Sequence, residues 1–104
     1  MLESIIQRLE LAEERFKFLE GEISSSRVIS DQKTYSSYTK EYSDLRPLVE
    51  KHLEFKKIQG EIDEAKLLLN DTDGELRNLA KDELSKNTEL LVELELDLKK
   101  LLIP

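Results

Sequence analysis

Apolar side chains recur at steps of three and four residues over most of the chain, the spacing that places them on one face of an α-helix. In the first segment this spacing predicts a helix over residues 2–23. Charged residues occupy its other faces, and Glu13 precedes Lys17 by four residues, the favourable order for an ion pair along a helix. We therefore expect a solvent-exposed charged face opposite an apolar stripe formed by Leu2, Ile5, Leu9, Ala12, Phe16, Leu19 and Ile23.

Residues 24–31 interrupt this period and are rich in Ser, which predicts a loop, with Asp31 as the N-cap of the helix that follows. We expect this second helix to span residues 32–69. Pro47 lacks a backbone donor and costs about 3 kcal/mol inside a helix, so either a kink or a break is predicted there. Gly60 weakens the helix by about 1 kcal/mol, which packing can outweigh. The apolar line of this segment consists of Tyr35, Tyr38, Tyr42 and Leu45 before the proline and of Leu48, His52, Phe55, Ile62, Ala65 and Leu69 after it.

The run from Asn70 to Gly74 has the composition of a turn. Thr72 and Glu75 stand three residues apart, as in a capping box, so a third helix is predicted over residues 73–102. Asn87 is the one polar residue on the later part of its stripe, whose apolar members are Leu76, Leu79, Ala80, Leu84, Leu91, Leu94, Leu98 and Leu101.

One stretch of this third segment carries a competing signal. Residues 92–98 alternate strictly between apolar and polar side chains, the pattern of a half-buried β-strand. Helix is favoured because Leu, Glu and Lys dominate, β-branched residues are scarce, and oppositely charged residues stand four apart at Asp82/Lys86 and Glu95/Lys99.

Together these segments predict a single all-α domain over residues 1–104, with three principal antiparallel helices in an elongated, coiled-coil-like bundle. The composition is typical of long, surface-rich helices, since 38% of the residues are charged, 38% are apolar, and only three are Gly and two Pro. A chain of 104 residues is long enough to bury one modest core.

The charge and the available side chains restrict the function. A formal net charge of −7 argues against independent nucleic-acid binding and favours a protein partner. There is no Cys and one His, His52, which is expected to pack rather than to bind metal. Gly21, Gly60 and Gly74 are too far apart for a phosphate loop, and the carboxylates are spread over exposed faces. We therefore predict no catalytic residue, no metal, no cofactor and no membrane segment, and a cytoplasmic location.

Tyr35, Tyr38 and Tyr42 have the spacing of one helical face. Aromatic residues so arranged can stack on the bases of single-stranded nucleic acid. No basic groove accompanies them in the sequence, so packing between helices is the favoured interpretation. From the residues alone, the chain is interpreted as an acidic helical interaction domain.

Several stretches are similar, in order and distance, to the amino-terminal domain of bacterial peptide chain release factor 1, in the class I family that reads UAA and UAG. The most specific is the run KTYSSYTKEYSDLRPLVEK over residues 33–51. It resembles the second helix of that domain. The other similar stretches are residues 2–19, 62–69, 76–84 and the closing segment 98–104.

In this family a Gly-Gly-Gln tripeptide promotes peptide release and a Pro-x-Thr tripeptide reads the stop codon, and neither occurs in this chain. The resemblance therefore implies an accessory domain without release activity, which helps the parent factor dock on the ribosome near the large-subunit stalk base. The residues that contact the ribosome or the other domains of the parent factor are left unassigned. An unrelated acidic helical adaptor or coiled-coil interaction module is the alternative.

We further predict a weak tendency of the isolated chain to self-associate. In a chain that ends at Pro104, apolar surface that the other domains of the parent factor would cover is exposed.

Overall fold

The helical spacing of apolar residues is realised in a computed structural model that describes all 104 residues. The chain forms four helices and no strand, which confirms the all-α prediction with three principal helices. The short α2 was not predicted. The helices are α1 (Glu3–Glu22), α2 (Ser26–Ile29), α3 (Gln32–Leu68) and α4 (Gly74–Leu101).

Helix α1 begins with Glu3 in its first turn, where a carboxylate interacts favourably with the helix dipole. Leu9 and Leu19 on its predicted stripe are buried, whereas Leu2 precedes the helix and is exposed. The expected ion pair with Lys17 is present, with Lys17 Nζ 3.6 Å from Glu13 Oε1. The solvent-exposed position predicted for Glu13 is wrong: this residue is buried, because it lies four residues after Leu9 and so on the flank of the stripe.

The loop predicted over residues 24–31 contains the single helical turn α2. Ile29 N donates to Ser25 O at 2.9 Å, and the Ser30 hydroxyl donates to Ser26 O at 2.6 Å. Val28 anchors the turn, with only 1% of its surface exposed. A helix of four residues is too short to produce a repeating apolar pattern. The serine-rich composition was therefore the only signal in this segment, and it predicted a loop.

Asp31 caps α3 as predicted. Its Oδ1 accepts a hydrogen bond from Thr34 N at 3.3 Å, and its Oδ2 accepts one from the Thr34 hydroxyl at 3.0 Å. The first of these bonds satisfies a backbone donor that has no partner within the first turn of a helix.

Helix α3 continues without interruption through Pro47, so a break is excluded. Pro47 has no N–H to donate to the carbonyl of Ser43, four residues earlier. Both residues are exposed, so water can donate a hydrogen bond to that carbonyl instead.

Beyond the proline, the buried residues of α3 differ from the predicted ones. Val49 is buried where Leu48 was expected, and Ile58, which was not assigned to the line, is also buried.

The N-cap of α4 differs from the predicted one. Asp73, not Thr72, is the N-cap, and its Oδ1 accepts from Glu75 N at 2.9 Å. Asp71 Oδ1 accepts from Asp73 N at 2.8 Å and so orients the capping residue. A capping box centred on Thr72 needs the amide of Glu75 as its own donor, and Asp73 already occupies that amide.

The buried residues of α4 are Ala80, Asn87, Leu94 and Leu98. These residues are seven, seven and four positions apart, which places them on one face of a helix. Leu96, between Leu94 and Leu98, is exposed. A strand would bury all three on the same face, so the exposure of Leu96 agrees with a helix. Leu76, Leu79 and Leu101 were predicted on this stripe, but all three are exposed. Leu79 is adjacent in sequence to buried Ala80 and is therefore rotated by about 100° around the helix axis.

The chain divides into two compact units, unit 1 from Met1 to Glu50 and unit 2 from Lys51 to Pro104, and α3 contributes to both. This division does not test whether the two units behave as one domain, so the single domain over residues 1–104 stays a prediction. The apolar core of unit 1 contains Leu9, Leu19, Val28 and Val49, and that of unit 2 contains Phe55, Ile58, Ile62, Ala65, Ala80, Leu94 and Leu98.

Candidate interaction surfaces

An arginine and a carboxylate join α1 to α3 in unit 1. Arg15 Nε donates to Glu41 Oε2 at 2.7 Å, and Arg15 Nη2 donates to Glu41 Oε1 at 2.9 Å. Such paired bonds match the planar fork of the guanidinium to both carboxylate oxygens. Both side chains are about two-fifths exposed, so the pair contributes orientation more than stability.

The same guanidinium lies over two aromatic rings, with its Cζ 5.1 Å from the centroid of Phe18 and 5.5 Å from that of Tyr38. Both distances are within the range of a cation–π interaction. The rings themselves meet edge to face, with centroids 6.2 Å apart. Arg15, Phe18, Tyr38 and Glu41 therefore form one surface cluster, in which each side chain orients its neighbour.

The ion pair shifts the pKa of both partners in the direction expected. Hydrogen bonding to Arg15 lowers the pKa of Glu41 below its ordinary value, partly opposed by desolvation of the carboxylate. Hydrogen bonding to Glu41 raises the pKa of Arg15, again against desolvation. The pair is thus fully charged throughout the neutral pH range.

A second aromatic contact lies beside this cluster. The rings of Phe16 and Tyr42 stack with centroids 4.2 Å apart and an interplanar angle of 9°. Arg46 Cζ lies 5.1 Å from the Tyr42 centroid. Packing between helices is therefore confirmed for Tyr38 and Tyr42, whose rings contact α1, whereas Tyr35 is exposed.

In unit 2 two polar residues lie within the core. His52 is only 4% exposed, in agreement with the packing role expected for it. Asn87 is buried on α4, and its Nδ2 donates to Glu61 Oε2 on α3 at 3.3 Å. A buried amide bonded to the facing helix favours one alignment of two helices over shifted ones. Near the end of α4, Lys51 Nζ lies 3.9 Å from Asp97 Oδ2.

No group of three or more His, Cys, Asp or Glu residues is arranged to hold a metal ion. None of the helices combines the length and hydropathy needed to cross a membrane. The surface carries exposed apolar side chains among many charged ones. The most exposed of these side chains are Leu2, Leu11, Leu67, Leu79 and Ile103.

Sequence patterns did not reveal the Arg15 cluster. Arg15 and Glu41 are 26 residues apart, and each had the appearance of an ordinary charge on an exposed helical face. Local spacing reports which residues share a face of one helix, but not which residue of another helix faces them. The tyrosine spacing was the only available signal near the cluster.

Comparison with known proteins gives two consistent findings. The family model described as the PCRF domain matches residues 12–104. The chain is also similar to peptide chain release factor 1 of Clostridioides difficile (strain 630), with 41% identity over 101 residues, which cover 96% of this chain. The chain spans only 28% of the length of that relative. No solved structure matches the chain.

Proposed function

Because this chain belongs to the PCRF domain family, the amino-terminal domain of peptide chain release factors, we propose that it is an accessory domain in stop-codon-dependent translation termination. It acts through a parent factor in the cytoplasm, and its role is to position that factor on the ribosome near the large-subunit stalk base. Other domains of the parent factor supply codon recognition and peptide release, and residues 1–104 act as one helical domain.

The observation that carries this proposal is the 41% identity to a peptide chain release factor over 96% of the chain. Similarity of that extent excludes the alternative of an unrelated helical adaptor. The chain contains neither a Gly-Gly-Gln nor a Pro-x-Thr tripeptide, which supports a role outside catalysis and codon recognition. Its net charge of −7 supports docking on protein rather than on ribosomal RNA.

The test combines binding with activity. Binding of the 104-residue chain to ribosomes is measured with and without the stalk-base protein, alongside release of a labelled peptide by the chain alone. We expect weak binding that depends on the stalk-base protein, and no release. The binding is weak because in an intact factor the other domains hold this one at a high effective concentration. Added in excess to an intact factor, the chain should slow release by competition.

Two outcomes separate the parts of this proposal. Stop-codon-dependent release by the chain alone would overturn its accessory role. Binding that is unchanged when the stalk-base protein is removed would refute the docking position and leave the accessory role intact.

A further inference from the structure

Exposed leucines concentrate around the connection between α3 and α4. Leu67 is 79% exposed, the highest fraction among the large apolar side chains, and Leu79 is 64% exposed. Leu68 and Leu76, between them in sequence, are also exposed. All four lie within about 10 Å of the connection along the helix axes, since each residue adds about 1.5 Å. We call these four residues the leucine surface. Exposed apolar groups concentrated in one region of a molecule mark binding sites more often than isolated ones do.

Hydrogen bonds hold the connection between these leucines in one conformation. Asp71 N donates to Leu68 O at 3.1 Å, and Arg77 Nη1 donates to Asp71 O at 2.7 Å. Two further bonds complete the turn: Asp73 N donates to Asp71 Oδ1, and Glu75 N donates to Asp73 Oδ1. A surface ordered before binding loses little conformational entropy when a partner docks, which favours affinity.

The charge of unit 2 is concentrated at the same place. Residues 63–83 contain seven Asp and Glu against three Lys and Arg. The remainder of unit 2, residues 51–62 and 84–104, contains six of each sign. The excess negative charge of the unit therefore surrounds the leucine surface. Asp63, Glu64, Asp82 and Glu83 are the carboxylates in it that are exposed and take no part in the turn.

We propose that the leucine surface and its surrounding carboxylates bind a protein surface that is basic and presents apolar side chains. This inference rests on the proposed function, since it assigns the ribosome-docking contact to one part of the domain. Phosphate groups of RNA would be repelled by the carboxylates, and so would the same surface of a second copy of this chain. A basic protein surface that presents apolar side chains can pair with the carboxylates and also cover the exposed leucines.

The test uses the 104-residue chain and purified ribosomes as the probe. Leu67→Ser combined with Leu79→Ser should weaken binding by about tenfold or more, since two apolar contacts are lost. The matched control is Leu11→Ser combined with Leu96→Ser, which changes two exposed leucines elsewhere and should leave binding unchanged. Circular dichroism should show the same helical fold for all of these chains. Thermal unfolding should shift by a similar small amount in both double variants, because each altered side chain is largely exposed and Ser lowers the helix propensity at every one of these sites.

A charge variant separates protein from RNA as the partner. Neutralising Asp63, Glu64, Asp82 and Glu83 to their amides should weaken ribosome binding severalfold and reduce its dependence on salt. Neutralising Glu10 and Glu14 in α1 is the control. Stronger binding after neutralisation at residues 63–83 would indicate RNA phosphates as the partner and overturn the inference.

The remaining outcomes are equally decisive. If the unaltered chain binds and the Leu67/Leu79 variant binds equally well, the inference fails and the proposed function stands. If the unaltered chain does not bind ribosomes at all, the proposed docking function fails and this inference fails with it. If the Leu67/Leu79 variant loses only self-association, measured by sedimentation, the surface pairs copies of the chain and the inference is wrong.

Discussion

Arg15 on α1 and Glu41 on α3 are joined by two parallel hydrogen bonds of 2.7 and 2.9 Å, although 26 residues separate them in the sequence. The guanidinium also lies over Phe18 and Tyr38, so a single side chain connects the charged and aromatic contacts between the two helices. Lys in place of Arg15 would keep the charge but lose the planar fork and the stacking, so the two residues are not equivalent here.

The contribution of this pair should depend on pH. Because the pKa of Glu41 is lowered in the folded chain, the stability it contributes is fully present above the ordinary value of 4.5 and is lost as the pH falls through the lowered value. Glu41→Gln should therefore be less stable than the unaltered chain at neutral pH, and the difference should shrink in acid. Urea unfolding from pH 7 to pH 2 measures it. Glu14→Gln, at an exposed site on α1, is the control, and a difference independent of pH would contradict this prediction.

Asp73→Ala should destabilise the chain by about 1 kcal/mol, since it removes the side chain that accepts from Glu75 N at the start of α4. Thr72→Ala, at the adjacent exposed position, should change the free energy of unfolding by less than about 0.5 kcal/mol. Chemical denaturation of the two variants compares them directly. A larger loss of stability in Thr72→Ala than in Asp73→Ala would support the capping box predicted from the sequence.

Gly60→Ala should stabilise the chain by about 0.5–1 kcal/mol, because alanine loses less backbone entropy on forming a helix. A Cβ built at Gly60 meets no atom within 4 Å, and no glycine has a positive φ. Gly21→Ala provides the comparison, since that site is equally open but lies near the end of α1, where a smaller gain is expected. A loss of stability in the Gly60 variant would show that the glycine is required for a reason other than helix propensity.

Leu98→Ala should cost about 2–5 kcal/mol, as is usual for deleting a fully buried leucine. Leu96→Ala should cost less than about 0.5 kcal/mol beyond any change in helix propensity, because Leu96 is exposed. The two variants make the same chemical change two residues apart, and thermal unfolding measures both. A strand would place both side chains on the same face, so equal costs would contradict the helical assignment of residues 92–98.

The isolated chain should self-associate weakly, driven by exposed apolar side chains and opposed by its net charge of −7. Association should therefore increase when salt screens the repulsion. Analytical ultracentrifugation over a range of concentrations, at low and high salt, tests both statements. A strictly monomeric chain under all of these conditions would refute the prediction.

Some local choices could not be made from the sequence because two neighbouring residues were equally suitable. Thr72 and Asp73 are both good N-caps, and the hydrogen bond from Asp73 N to Asp71 decides between them. Leu48 and Val49 are both apolar, and only the packing in unit 1 shows that Val49 is the buried one. The single turn α2 left no periodic signal at all.

The sequence alone determined the all-helical fold, the three long helices and the family resemblance, because helical periodicity and local residue order are properties of neighbouring positions. The tertiary structure decided which side chains lose contact with water. Whether Leu79 or Ala80 is buried, and whether Arg15 finds Glu41, depends on the position of a second helix. Periodicity defines the direction of a helical face, but the partner that covers that face comes from residues far away in the chain.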